Sequence, residues 1–276
     1  MTETSGFALS QSGALVRKLT SQIRTSLRSD DAEAVHDLRV GIRRLVQALI
    51  VFAPCFSARD IRKARRRLKR IMTAAGLVRN CDIATKLCGK HGAKFRKKIQ
   101  SHRDDARREL IVALKRWTRG NYSSGLIDSV ARNREFGRRG IERTARQVLY
   151  KTTKEFFHAG NQAAEEPAPA KLHGFRIVAK QFRYTVELFL PISGRRATIR
   201  LNQIKAIQAN LGEVNDCETV RVMLAKWGGS RRIDRSLKKR ESEHIEEFRR
   251  LWHEAFAEPG NLHHWLHDFG RFRIQR

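Results

Sequence analysis

Apolar residues recur along this chain at helical spacing, and no segment alternates with the period of a strand over a useful length. Leu15, Leu19, Ile23 and Leu27 stand four apart in a helix predicted from about Ser10. Ser29-Asp30-Asp31 supplies N-cap side chains for the next helix. There Val35, Leu38, Ile42, Leu45, Leu49 and Phe52 share one face at about 100° per residue, and the helix should end before Pro54. A very basic helix follows from Ala58, with Gly76 as its stop and Asn80 as the cap of a further helix. Residues 94–117 read as a long basic helix and 120–125 as a loop. Residues 126–158 read as helix, weakened at Gly137 and Gly140. Beyond them, helices are predicted over about 171–190, through Ile199, Ile204 and Ile207, and over about 231–258 and 261–270. Residues 1–9 read as a flexible N-terminus, and 159–170 (AGNQAAEEPAPA) as a linker.

The pattern repeats. VHDLRVGIRRLVQALIVF at 35–52 is answered by LHGFRIVAKQFRYTVELF at 172–189, so that His36 matches His173, Arg39 matches Arg176, Arg43 matches Lys180 and Pro54 matches Pro191. Further on, Lys69 matches Lys205, Gly76 matches Gly212, and Asn80-Cys81-Asp82 matches Asp216-Cys217-Glu218, at an offset one residue shorter. A loop shortened by one residue accounts for the change. The expectation is an all-α fold of two similar helical halves, about 10–158 and 171–276, related by internal duplication.

On the helical wheel each copy divides. Beside the core stripe, His36, Arg39 and Arg43 fall within about 60°, as do His173, Arg176 and Lys180. Arg183 extends the second strip, and Arg44 lies on the other flank of His36. Val40 and Ile177 stand on the far side of the strips, which implies cations set in a groove rather than on a ridge. A basic helix face is commonly only solvated, but duplicated cations at identical spacing require a reason that duplicated core residues do not. Arg offers a planar fork to phosphate oxygens, Lys a point charge, and His a donor whose charge tracks pH. Two such strips suit a repeating polyanion, held by several weak contacts at once and more tightly below neutral pH.

Composition sharpens this. Lys and Arg number 57 against 28 Asp and Glu, a formal charge of +29, which recruits nucleic acid, inorganic polyphosphate or an anionic surface. Arg103 with Arg107, and Arg139 with Arg143, lie one turn apart and are further candidates for the same groove. The four cysteines lack metal-type or disulfide-framework spacing and read as free thiols, and Cys81 and Cys217 as small apolar packing groups. The Asn80 and Asp216 motifs read as helix-capping structure rather than catalytic carboxylates. His263, His264 and His267 offer an i, i+4 pair without a third ligand nearby, so no metal is expected. Trp227, Trp252 and Trp265 read as core residues. The N-terminus shows no basic and apolar leader, and no run approaches a membrane span, so a cytoplasmic, soluble protein is expected.

The V-H-x-x-R-V-x-x-R-R-L and L-H-x-x-R-I-x-x-K-x-x-R-Y segments, each followed by a Gly and an N/D-C-D/E motif, resemble the CHAD domain, the conserved histidine α-helical domain, over about residues 10–270. That resemblance implies two similar helical bundles about a pseudo-twofold axis. It also implies binding of inorganic polyphosphate through basic residues and association with polyphosphate granules. No cofactor is expected. It implicates His36, Arg39, Arg43, His173, Arg176, Lys180 and Arg183, with Lys69 and Lys205 as second-helix contributors. Arg44 is expected to join them, in a basic crevice between the halves. Val46 stands where the first copy usually carries another basic residue, which implies weaker binding there; in the second copy Gln181 stands where a basic residue is common, and Leu77 replaces an acid that Glu213 retains. The E-x-E-x-K start of fused triphosphate hydrolases is absent, so a binding domain without enzymatic activity is expected. A nucleic-acid binder is the alternative, although no aromatic stacking platform or reading motif is evident. A polyphosphate phosphatase or kinase lacks a P-loop, metal cluster and activated nucleophile.

Overall fold

A computed structural model describes residues 3–120, 122–132 and 140–272. Among these the chain is all-α, ten helices in two compact units that divide after Ile141. The first unit holds α1 (Glu3–Arg28), α2 (Ala32–Val51), α3 (Ala58–Cys88), α4 (Ala93–Arg119) and α5 (Tyr122–Arg132). The second holds α6 (Ile141–Glu165), α7 (Pro169–Phe189), α8 (Arg195–Ala225), α9 (Arg231–Ala255) and α10 (Asn261–Gly270). Gly137 and Arg139 lie outside the described residues.

The repeat copies form α2 and α7. Asp31 caps α2 by accepting from the Glu33 N–H at 3.2 Å. Both helices give way to a short 3₁₀ turn carrying the matched prolines, Ala53–Cys55 and Leu190–Ile192, because a proline cannot continue the N–H ladder. Then come α3 and α8, each of 31 residues. The intervening segment is one residue shorter before α8, as the change of offset requires. Every predicted stripe residue of α2 and α7 is buried.

In the first unit α2 packs on α1 and α3, and α3 on α4. The second unit pairs α8 with α7 and α9, and α10 closes on α8. Its core is aromatic: the Phe156 ring meets Phe175, Phe182, Trp252, Phe256 and Trp265 within 6.2 Å. Trp252 and Trp265 are buried as expected, whereas Trp227 is only half-buried. All four cysteines are free and buried, and burial pushes the thiols of Cys55, Cys81 and Cys217 up to about 11.

Several expectations are corrected. Residues 3–9 are not a flexible end but belong to α1, where Ala8 is buried and Phe7 meets the Phe52 ring edge-on at 6.2 Å. Residues 159–165 are not linker but the last two turns of α6. Their small residues serve close packing: a Cβ on Gly160 would stand 1.9 Å from the Trp252 ring, and Trp252 Nε1 donates to Asn161 at 3.0 Å. The division between units therefore falls at 141/142, ahead of α6. Neither Gly76 nor Asn80 ends or begins a helix, since α3 runs through both, and α8 likewise runs through Gly212 and Asp216.

Candidate functional site

In the first unit the α2 strip faces α3. Arg39 donates from Nη1 to the Met72 carbonyl at 3.2 Å. A Cβ on Gly76 would stand 2.8 Å from that same Nη1. Gly76 is thus the seat of a guanidinium, at a mid-helix position where glycine costs helix stability, whereas nothing lies within 4 Å of a Cβ on the matched Gly212. His36 lies beside Arg79, and its pKa is lowered, first by burial and then by the Arg79 charge. Arg43 and Arg44 are half-buried along the same helix, and Val40 is half-buried beside them.

Lys69 is exposed on α3, seven residues before Gly76 and so on the same helix face. Arg62 and Arg65 continue that face, and they are exposed as well. Sequence reasoning missed Arg62, Arg65 and Arg79. Their 3–4 spacing with Lys69 and Gly76 was the available signal.

The second unit is built differently around the same residues. Arg176 donates to Asn215 Oδ1, and Asn215 stands where Arg79 stands in the first unit. His173 is exposed and shares a small pocket with Arg176, Asn215, Glu218 and Glu241. Arg183 lies over the Tyr184 ring at 4.6 Å and 3.8 Å from Glu187, so packing and a carboxylate engage it. Lys180 is half-buried and Lys205 exposed. At the positions matching Arg62 and Arg65, α8 carries Thr198 and Leu201, and its Arg196 and Arg200 grip Asp268 at 3.1 and 2.9 Å. Ile177 is 46% exposed, so the far wall inferred for the second strip is open to solvent.

Charge follows the same asymmetry. Residues 1–141 carry 32 Lys and Arg against 12 Asp and Glu, net +20, and residues 142–276 carry 25 against 16, net +9. The acids differ as well: Leu77 and Asn80 stand where α8 carries Glu213 and Asp216, while Asp82 and Glu218 match.

Arg103 and Arg107 do not line a groove. Arg103 donates to Asp82 Oδ1 and Asp30 Oδ2, both at 2.7 Å, and Arg107 lies 3.1 Å from Asp30 Oδ1. They tie the α1–α2 turn and α3 to α4. Asp82 is therefore structural through an ion pair, not through capping. Arg143 is exposed on α6. Among the described residues no group of three or more His, Cys, Asp or Glu side chains gathers as a metal site, His263, His264 and His267 included. No described helix is long and apolar enough to cross a membrane.

Gly76→Ala should raise the melting temperature slightly, since alanine is favoured over glycine in mid-helix by up to about 1 kcal/mol and the atom in its way is the far end of a flexible side chain. Thermal melting checks the sign.

Each unit of this all-α chain thus presents a His/Arg/Arg-or-Lys strip, on α2 or on α7, beside the helix that bears Lys69 or Lys205. The sequence profile of the CHAD domain matches residues 12–225, and the chain belongs to that family. The fold is similar to the crystal structure of the CHAD domain from the plant Ricinus communis, with a TM-score of 0.71 at 19% identity, covering 99% of this chain and 95% of that one. It is also similar to PptA from Streptomyces chartreusis, with a TM-score of 0.64 at 15% identity, covering 91% and 100% respectively. Comparison with curated proteins returned no match.

Proposed function

We propose that this protein binds long-chain inorganic polyphosphate through its cationic strips, without transforming it, and can thereby be carried on polyphosphate granules. The family to which it belongs is associated with polyphosphate binding. The observation that carries the reading is the recurrence of one cationic strip in both units, each beside the helix that bears Lys69 or Lys205. A chain of identical phosphates suits each strip with no new chemistry, and within a strip each further contact acts at high effective concentration. Neither strip offers an aromatic platform for bases, which weighs against nucleic acid as the principal partner.

The deciding measurement is competition. Labelled polyphosphate bound to the protein is challenged with duplex DNA and single-stranded RNA over a salt series. Retention against equal charge equivalents is expected, and displacement by DNA would overturn the reading.

The histidine adds a pH dependence whose sign is fixed. In the free protein His36 sits below the ordinary histidine value, so it is neutral near pH 7. Without ligand it binds protons less readily than in the unfolded chain, and the free fold loses stability as pH falls through the ordinary value. Bound phosphates raise the same pKa, so binding takes up a proton and tightens as pH drops from 8 to 6. A few-fold gain in affinity is expected across that range, reduced in His36→Gln. A gain unchanged in that variant would remove His36 from the site.

A further inference from the structure

The first unit holds a second cationic cleft that shares no residue with the α2–α3 strip. It has a volume of about 480 Å³, within the range of small-molecule sites, and lies among α1, α4 and α5. Arg17, Thr20, Ser21 and Arg24 line it from α1, and Trp117, Thr118, Tyr122, Ser123 and Ser124 line it from the other side. None of the described residues lining it carries a carboxylate, in contrast to the surface clefts that hold Asp104 and Asp105, Glu218 and Glu241, or Asp234.

Its wall is built rather than accidental. Trp117 Nε1 donates to Ser123 Oγ at 3.2 Å, and Ser123 Oγ lies 3.1 Å from Thr20 Oγ1, which donates to the Val16 carbonyl. Tyr122 meets Trp117 edge-on at 5.6 Å, and the Arg67 guanidinium lies 3.5 Å over its ring. A Cβ on Gly120 would stand 2.2 Å from that ring, so glycine there lets the tyrosine fold back. This fixes a row of hydroxyls between two exposed arginines. Arg17 and Arg24 lie seven residues apart on one helix, hence on one face and about 10 Å apart along the axis. A single phosphate ion cannot reach both, whereas a molecule with phosphates at its two ends can. The hydroxyl row between them is matched to a hydroxylated body, which both donates and accepts.

We propose that this cleft binds a small hydroxylated organic molecule bearing two phosphate groups, held by Arg17 and Arg24 at its ends and by Thr20, Ser21 and Ser124 along its length. The site is independent of the polyphosphate reading, since it uses different helices and a different size of ligand.

The test uses calorimetric titration of the full chain near physiological salt with fructose 1,6-bisphosphate, fructose 6-phosphate and tripolyphosphate as probes. The bisphosphate should bind with one equivalent and at least tenfold more tightly than the monophosphate. Arg17→Ala with Arg24→Ala should weaken it at least tenfold. Arg39→Ala with Arg43→Ala should leave it within twofold. So should Arg108→Ala with Arg116→Ala, which removes the same charge from exposed positions of α4. Equal loss from the α4 pair would reduce the effect to the general positive field. Loss through Arg39 and Arg43 would assign the ligand to the strip. Equal affinity for the monophosphate would refute two-ended recognition, and tripolyphosphate binding as tightly as the bisphosphate would refute the organic body. Absence of bisphosphate binding would end the proposal.

Discussion

Replacing Arg39, Arg43 and Lys69 by alanine should lower affinity for long-chain polyphosphate by roughly a hundredfold, while the matched set Arg176, Lys180 and Lys205 should lower it by about tenfold or less. The first figure assumes about 1 kcal/mol for each of the three charged contacts, so about 3 kcal/mol in all. The difference between the sets comes from their neighbours. Arg39 donates to a backbone carbonyl over a glycine, and His36 lies beside another cation, Arg79. Arg176 already donates to Asn215, and Glu218 and Glu241 share its pocket, so part of any phosphate contact there repeats what the protein supplies. Titrations of both triple variants against the same chain length, each checked by thermal melting, give the ratio directly. Equal losses would mean that the two strips are equivalent despite their surroundings.

The largest effect on stability is expected at Arg103. Its side chain is 11% exposed and that of Asp82 8%, whereas Asp30 is 61% exposed. Arg103→Ala leaves the Asp82 carboxylate in the interior without its ion pair. Breaking a buried pair from one side costs about 3–5 kcal/mol, and the exposure of Asp30 places this case near the lower figure. Chemical denaturation should show a loss of about 3 kcal/mol, with hydrogen exchange faster in α3 and α4 than in the second unit. Arg103→Met combined with Asp82→Asn should recover much of it, because the stranded charge is gone. A loss below about 1 kcal/mol would show that water reaches Asp82 readily.

What the sequence disclosed and what it concealed divide along physical lines. The stripes of α2 and α7 were legible because burial recurs with the helical period and repeats in both copies. The matched cations were legible for the same reason. Gly76 misled because glycine's helix penalty is small beside tertiary packing, and its purpose, room for Arg39, depends on a residue 37 positions away. The small residues of 159–165 imitate a linker, since alanine and glycine serve flexible chain and close packing equally well. Arg103 and Arg107 were counted with the groove because a charge count carries no partners. Arg183 gave the second copy its longer edge only until Tyr184 and Glu187 were seen beside it.

The aromatic core of the second unit has an optical consequence. Of the four tryptophans only Trp117 belongs to the first unit, while Trp252 and Trp265 sit in van der Waals range of Phe256 and of the Phe156 cluster. Native fluorescence and near-ultraviolet dichroism are therefore dominated by the half that carries less charge. The intrinsic spectrum therefore reports the integrity of the second unit, and occupancy of α2 and α3 by a polyanion calls for a probe placed in the first unit.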